Sequence, residues 1–382
     1  MKKSLILSAN ATPKVGGQGL NLFHMLQGLS ESFDIQVFCQ ETCSLAHTAV
    51  VPPAQLTTLI GRVPVVRRLR DWTNLWSDRH FDHYVARRLN KADLFQGVAG
   101  QCHESLRRAR ALGCRTAVDC LTTHIDDFES HQKIECAKFG VRPATHARSR
   151  RKQVEEYGRA DLIRVLSEHA KRTFVERGIP PEKIHVARPP IDVREFPQAE
   201  FRDSKFRISF VGLLDPWKGF HYLVEAFQAL DVPDSELCLW GGTGSRAISN
   251  YLRERMAQTP AIKLHQVSVR QLGYGKVYGI SSVLVHPSLT EGFGYVVAEA
   301  MASGIPVIVT PNTGAADLVV DGQNGFVVPA RDSGAIRERL TYLANHPAAL
   351  REMGRRARET MCSRNGDELK RNYAQALEAL AS

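Results

Sequence analysis

Residues 286–310 read HPSLTEGFGYVVAEAMASGIPVIVT, and the succession of residue types in them sets the fold. The apolar run Val283 to His286 ends at Pro287, which opens a turn. Thr290 is a candidate helix N-cap, the helix runs through YVVAEAMAS, and Gly304 stops it ahead of Pro306 and a second apolar run, PVIVT. Strand, turn, helix and strand make a βαβ unit. The turn EGFG then stands where a strand's carboxyl end meets a helix N-terminus. Open α/β sheets collect ligands there, and unpaired N–H groups at such a terminus favour anions. With Glu291 at the helix mouth, eight helical residues to Glu299 rise about 12 Å. Two carboxylates so placed suit an elongated ligand with hydroxyls at both ends and negative charge between them. The same pair also reads as a Glu291 that complements the helix dipole and a solvent-facing helix former at Glu299.

Working outward, the alternation continues. RISFVGLL, ELCLWGG, AIKLHQV and SSVLVHPS are strands, and GFHYLVEAFQAL is a helix. The first half shows the same pattern. SLILSA is a strand, GLNLFHMLQGLSE carries Leu20, Phe23, Leu26 and Leu29 at helical spacing, and DIQVFCQ is a strand. EEYGRADLIRVLSEHAKRTFVERGI follows as helix, short strand and helix, and ARPPIDVREFP has the proline density of a linker. The domain boundary falls between Pro189 and Phe206, and GDELKRNYAQALEAL closes the chain as an amphipathic helix. An α/β pattern that restarts after a linker predicts two nucleotide-fold halves with parallel sheets, as 382 residues also favour.

Composition bounds the function. The chain is 43% hydrophobic and 24% charged, as an ordinary folded protein is. Its net charge is +10, from 50 Lys and Arg against 40 Asp and Glu, which favours anionic partners. Two basic segments, GRVPVVRRLRDW and HARSRRK, concentrate that charge; each also reads as a solvated basic face. The apolar run in MKKSLILSANATPK is shorter than an export signal needs and reads as a first strand. No run approaches a membrane-spanning helix, so any membrane contact is expected to be peripheral. Eight cysteines without a CxxC pair predict reduced thiols and a cytoplasmic setting. The histidines of RHFDH and QCHE lack metal-ligand spacing, and no Asp-x-Asp pair occurs, so no metal is expected.

Two further segments are candidate ligand contacts. PKVGGQG lies between a strand and a helix, where Gly16, Gly17 and Gly19 let backbone approach a phosphate or simply make a tight turn. TAVDCLTTHIDDF runs from a strand into a polar loop with His124, Asp126 and Asp127 at the ligand-binding end of a sheet, where His124 is a contact or a structural histidine.

The run HPSLTEGFGYVVAEAMASGIPVI resembles the motif of family-4 retaining glycosyltransferases, which has two glutamates at this separation before a small-residue turn and a strand. FVGLLDPWKGFHYLVEAF is similar to that family's strand, loop and Lys-Gly helix start, and LWGGTG to its glycine turn. VGGQGLNLFHML and VDCLTTHI resemble, more loosely, its N-terminal glycine loop and the segment with its active-site histidine. The resemblance spans essentially the whole chain. It implies the GT-B architecture: two Rossmann-like domains facing each other across a cleft. An acceptor domain would span 1–190, completed by a helix at 366–382, and a donor domain would span 205–365.

The resemblance also implies roles. Lys218 would pair with the donor diphosphate, Glu299 would hold ribose hydroxyls, and Glu291 with the backbone of Gly292, Phe293 and Gly294 would hold the transferred sugar. Gly212 and Gly242 would line the donor site, Gly16 and Gly17 would reach the phosphate, and His124 would touch the sugar near the reacting centre. Many relatives carry an arginine where this chain has Leu213; Arg246 is then a candidate second cation, or the diphosphate rests on Lys218. The implied reaction transfers a sugar, with retention and without metal or cofactor, from a UDP- or GDP-linked donor to a glycan or lipid-linked acceptor of cell-surface polysaccharide. The expected setting is the cytoplasm or the inner membrane face. Another GT-B enzyme, such as a nucleotide-sugar epimerase, is the alternative. A nucleic-acid binder ranks last, because no stacking aromatics interleave the arginines.

Overall fold

The computed structural model describes residues 2–53, 70–143, 145–199, 205–267, 269–364 and 366–382. The chain forms two units. One comprises Met1–Glu129, Pro143–Pro190 and Gly366–Ser382; the other comprises Ser130–Arg142 and Ile191–Asn365.

The first unit holds a seven-stranded sheet of β1 (Lys3–Ser8), β2 (Phe33–Cys39), β3 (His47–Val50), β4 (Leu94–Val98), β5 (Arg115–Asp119), β6 (Leu162–Val165) and β7 (Ile184–Val186). Every pairing is parallel, in the order β3-β2-β1-β4-β5-β6-β7. Helices α1 (Gly16–Leu29), α2 (Arg70–Arg88), α3 (His103–Ala111), α4 (Ile125–Lys138), α5 (Ala147–Arg159) and α6 (Glu168–Val175) connect the strands, except that β2 leads directly to β3, and α4 and α5 together join β5 to β6. Wholly buried strands such as β4 follow from helices covering both faces of a parallel sheet. A buried polar knot joins three elements. Arg164 of β6 donates to Asp119 of β5 at 2.7 Å and to Asn21 of α1 at 2.8 Å, and Asn21 donates to the other Asp119 oxygen at 2.7 Å.

The second unit repeats the plan with β8 (Phe206–Val211), β9 (Ser235–Trp240), β10 (Ile262–His265), β11 (Val283–His286), β12 (Val307–Val309) and β13 (Gly325–Val327). All pairings are parallel, in the order β10-β9-β8-β11-β12-β13. Its longer helices are α7 (Phe220–Gln228), α8 (Arg246–Gln258), α9 (Tyr295–Ala302), α10 (Ser333–Asn345) and α11 (Pro347–Cys362). In both sheets the winding reverses once, between β1 and β4 in the first and between β8 and β11 in the second. Ligands of open α/β sheets bind at such reversals.

The closing helix α12 (Gly366–Ala381) belongs to the first unit, where Tyr373, Ala374 and Leu377 are buried and the Tyr373 hydroxyl donates to Gln96 at 2.8 Å. The expected first domain, 1–190, is corrected in one segment: residues 130–142 pack with the second unit. Glu135 explains why. Its fully buried carboxylate accepts from Arg331 at 2.7 Å and from His221 and Tyr222 at 3.1 Å, and lies 3.0 Å from Lys138. Burial alone would raise its pKa, but these partners hold it at about 2. Sequence spacing carries no sign of a partner almost two hundred residues away.

All eight cysteines are free thiols. Among the described residues no helix is long and apolar enough to cross a membrane, and no group of three or more His, Cys, Asp or Glu could hold a metal.

Candidate functional site

The second unit gathers its candidate residues at the β8/β11 reversal. The loop after β8 carries Gly212, Leu213 and Lys218; the loop after β11 carries Glu291 to Gly294. Gly219 locks the two together. Its φ is 70°, and a Cβ there would lie 2.0 Å from the Pro287 carbonyl oxygen, so only glycine fits without moving backbone. The Leu289 amide donates to the Trp217 carbonyl at 2.9 Å across the same seam. On the other side, the Gly212 amide donates to Trp240 and the Leu214 amide to Gly242, each at 2.9 Å, which places Gly212 and Gly242 in adjoining turns.

The Lys218 ammonium makes an ion pair with the Glu291 carboxylate, with their side chains 22% and 17% exposed. Buried His286 brings Nε2 to 3.5 Å from the same carboxylate oxygen, beyond hydrogen-bond length, and neither ring nitrogen has a hydrogen-bond partner among the described residues. Burial raises the Glu291 pKa, but the Lys218 charge and the His286 contact outweigh it and bring it to about 2. Burial lowers the His286 pKa despite the neighbouring acid. The resting arrangement is therefore ammonium, carboxylate and neutral imidazole.

The helix expected from Thr290 starts later. Gly294, with φ 91°, is the N-cap, and α9 begins at Tyr295. The reason is that Glu291 is extended: it bridges Thr313, its amide donates to Asn312 at 3.0 Å, and its carbonyl accepts from Gly314 at 3.1 Å. Glu291 is thus not a helix residue, and the helical rise expected between the glutamates does not apply. The Phe293 carbonyl accepts from Ala315 at 2.5 Å, pinning the turn. Among the described residues the amides of Phe293 and Gly294 donate to no acceptor. Glu299 lies in the second turn of α9, 5% exposed, and accepts the Tyr278 hydroxyl at 2.8 Å. It is not the solvent-facing residue that an isolated pattern allows.

The remaining candidates are placed differently. Arg246 stands exposed at the first position of α8 and makes no contact with the Lys218–Glu291 pair among the described residues. Leu213 is 46% exposed. In the first unit, Gly16 and Gly17 are not loop residues: they open α1, with nothing within 4 Å of where a side chain would start. His124 is buried, with ring centroids 5.2 Å from Tyr157 and 5.0 Å from Phe174, and its Nδ1 accepts the Asp126 amide at 3.2 Å. Burial lowers its pKa. Asp126 and Asp127 lie in the first turn of α4 rather than in a loop, and Asp126 pairs with Arg150 at 2.5 Å. That pairing uses one cation of HARSRRK; GRVPVVRRLRDW falls outside the residues whose side chains are described.

Sequence reading missed His286 and Tyr278. His286 stood at the head of the opening stretch, and a histidine ending a buried strand was its only signal. Tyr278 had none, since a tyrosine 21 residues before Glu299 meets it only in the folded chain.

Residues 192–360 match the family described as Glycosyl transferases group 1. The chain is 32% identical over 161 residues to the capsular polysaccharide biosynthesis glycosyltransferase CapM of Staphylococcus aureus, covering 41% of each chain. Over 99% of each chain the fold resembles that of the sucrose-phosphate synthase of Thermosynechococcus elongatus (TM-score 0.75, 20% identity). It also resembles that of Anabaena HepE in complex with UDP (TM-score 0.69, 17% identity, 99% of this chain and 100% of that one). The chain has the GT-B fold of two Rossmann-like halves. It spans about two fifths of the length of the first curated relatives it matches, and the match to the glycosyltransferase family lies in the second half.

Proposed function

We propose that the protein is a retaining glycosyltransferase of the family-4 type that transfers a sugar from a UDP- or GDP-linked donor to a glycan or lipid-linked acceptor of cell-surface polysaccharide. One observation carries the reading: a lysine and a carboxylate are paired at the β8/β11 reversal, beside a glycine turn whose Phe293 and Gly294 amides have no acceptor among the described residues. HepE, crystallised with UDP and UDP-glucose, and CapM, named for capsular polysaccharide, support the donor and acceptor classes.

Breaking a sugar–phosphate bond leaves negative charge on the diphosphate, and fixed cations and amides at that point stabilise it. Lys218 supplies the cation. A diphosphate competes with Glu291 for that ammonium, and the released carboxylate then accepts hydroxyl groups of the sugar, with neutral His286 beside it. Glu299, held by Tyr278, accepts ribose hydroxyls. Attack comes from the face the diphosphate leaves, with no side chain as obligatory nucleophile, and Lys218 with the turn amides does the work that a metal does elsewhere. His124, Gly16 and Gly17 complete the proposed set, and the setting is the cytoplasm or the inner membrane face.

Thermal-shift measurements with a panel of UDP-, GDP- and ADP-sugars, with and without chelator, test this. Stabilisation by one donor class, undiminished by chelator and followed by transfer with retained anomeric configuration, is expected. No response to any nucleotide sugar overturns the reading.

A further inference from the structure

The first unit contains a cavity of about 250 Å³ among α2, α3 and the start of α5. Ligand pockets usually begin at about 300 Å³, so this one has room for a single sugar ring rather than a whole nucleotide sugar. It lies at the carboxyl end of β4, beside the β1/β4 reversal, where such sheets bind ligands. The Gln101 side chain bridges the loops after these strands, accepting from the Asn10 amide at 3.0 Å and from Gln18 at 2.8 Å.

The acids lining the cavity are already matched. Asp82 accepts from the amides of Glu104 and Ser105, both at 2.9 Å, at the start of α3. Glu104 pairs with His83 and Glu155 with His103, each at 2.9 Å. Lys152 is turned inward to the Gly100 carbonyl at 3.0 Å. Two guanidinium groups on the wall, Arg79 and Arg151, are exposed and have no hydrogen bond or ion pair among the described residues. Beside them Trp76, 54% exposed, lines the cavity. An indole offers a flat apolar face of the kind that a sugar ring's C–H face covers, and an arginine fork matches a carboxylate or phosphate in two hydrogen bonds.

We infer that this cavity binds a sugar ring bearing a carboxylate or phosphate, with Trp76 against the ring and Arg79 and Arg151 on the anion, and that this ring is the acceptor end. The inference rests on the transferase reading for the word acceptor, but not for the binding.

The test is saturation-transfer NMR on the full chain with UDP in excess, comparing methyl glucuronoside, glucose 6-phosphate and neutral methyl glucoside. One anionic sugar should bind at least about tenfold more tightly than the glucoside, as charge-assisted hydrogen bonds imply. Which of the two wins separates carboxylate from phosphate. The Arg79→Gln/Arg151→Gln pair should remove that preference, Trp76→Ala should weaken all binding, and Arg107→Gln, an exposed arginine elsewhere on α3, should change neither. Unchanged thermal midpoints show that the variants are folded. Equal binding of all three sugars, no binding, or a preference that survives the double substitution overturns the inference. Anionic-sugar binding without any nucleotide-sugar turnover would sink the transferase reading and leave this site standing. Transfer to neutral acceptors alone, with a KM indifferent to Arg151→Gln, would do the reverse.

Discussion

Lys218→Met tests the centre of the site, because it removes the charge and keeps most of the side chain's volume. In the resting protein Lys218 and its neighbours hold the Glu291 carboxyl at about 2 against an ordinary 4.5. At about 1.4 kcal/mol per pH unit, that difference caps the gain at about 3 kcal/mol. His286 shares in it and water reaches both side chains, so about 2 kcal/mol falls to Lys218. The sign follows from the depressed pKa. The contribution is complete above the ordinary carboxyl range and fades as pH falls from 4.5 toward 2. In the variant Glu291 regains a proton at higher pH, so the gap between the two proteins should be full at pH 7 and visibly narrower at pH 4. Urea unfolding at both pH values measures it. Lys218 also opposes protonation of His286, so the imidazole's NMR titration should move upward in the variant. Calorimetry should show nucleoside diphosphate affinity falling about tenfold or more, the loss of one hydrogen bond to a charged group. A stability loss below about 0.5 kcal/mol, or one equal at pH 7 and pH 4, would refute the pair as described.

Three other substitutions are informative. Glu299→Gln keeps the size of a buried side chain and should weaken nucleotide-sugar binding about tenfold; unchanged affinity in calorimetry removes the ribose role. Gly219→Ala places a Cβ 2.0 Å from the Pro287 oxygen at a φ of 70° and should cost about 2 kcal/mol or more in urea unfolding, so a loss well under half of that would mean the two loops are not locked there. Leu213→Arg adds a cation at a half-exposed position of the β8 loop and should tighten diphosphate binding severalfold, more at low salt than at high. No salt-dependent gain would show that position 213 does not face the anion.

The architecture was legible because parallel sheets leave a period in the chain. β8, β11 and β12 are short apolar runs of the kind that helix-covered strands require, and Gly304 and Pro306 punctuate as read. The pairing of Lys218 with Glu291 was not legible. Each was assigned separately, to phosphate and to sugar, since spacing along the chain does not report that Gly219 packs under Pro287. The boundary of α9 was missed for a related reason: Thr290 has the chemistry of a cap, but tertiary pairing of Glu291 with Thr313 holds that backbone extended. The end of α4 was assigned to the wrong unit because its anchor, Arg331, lies almost two hundred residues on.

The self-paired resting state has a consequence for donor recognition. If a diphosphate displaces Glu291 from Lys218, the carboxylate loses its cation while remaining largely buried, and leaving it without partners is costly. A nucleotide sugar supplies hydroxyls to that carboxylate; the bare nucleoside diphosphate does not. The intact donor should therefore bind more tightly than its diphosphate product, and the difference should depend on the charge of residue 291. Glu291→Gln removes the displaced charge, so the diphosphate should bind the variant better than it binds the wild type, while the donor loses a charge-assisted bond. The donor-to-diphosphate affinity ratio should fall about tenfold. Calorimetric titration of both ligands against both proteins reads it directly. A ratio unchanged by the substitution would mean that Glu291 stays on Lys218 throughout, and the carboxylate would then be a clamp for the lysine rather than a contact for the sugar.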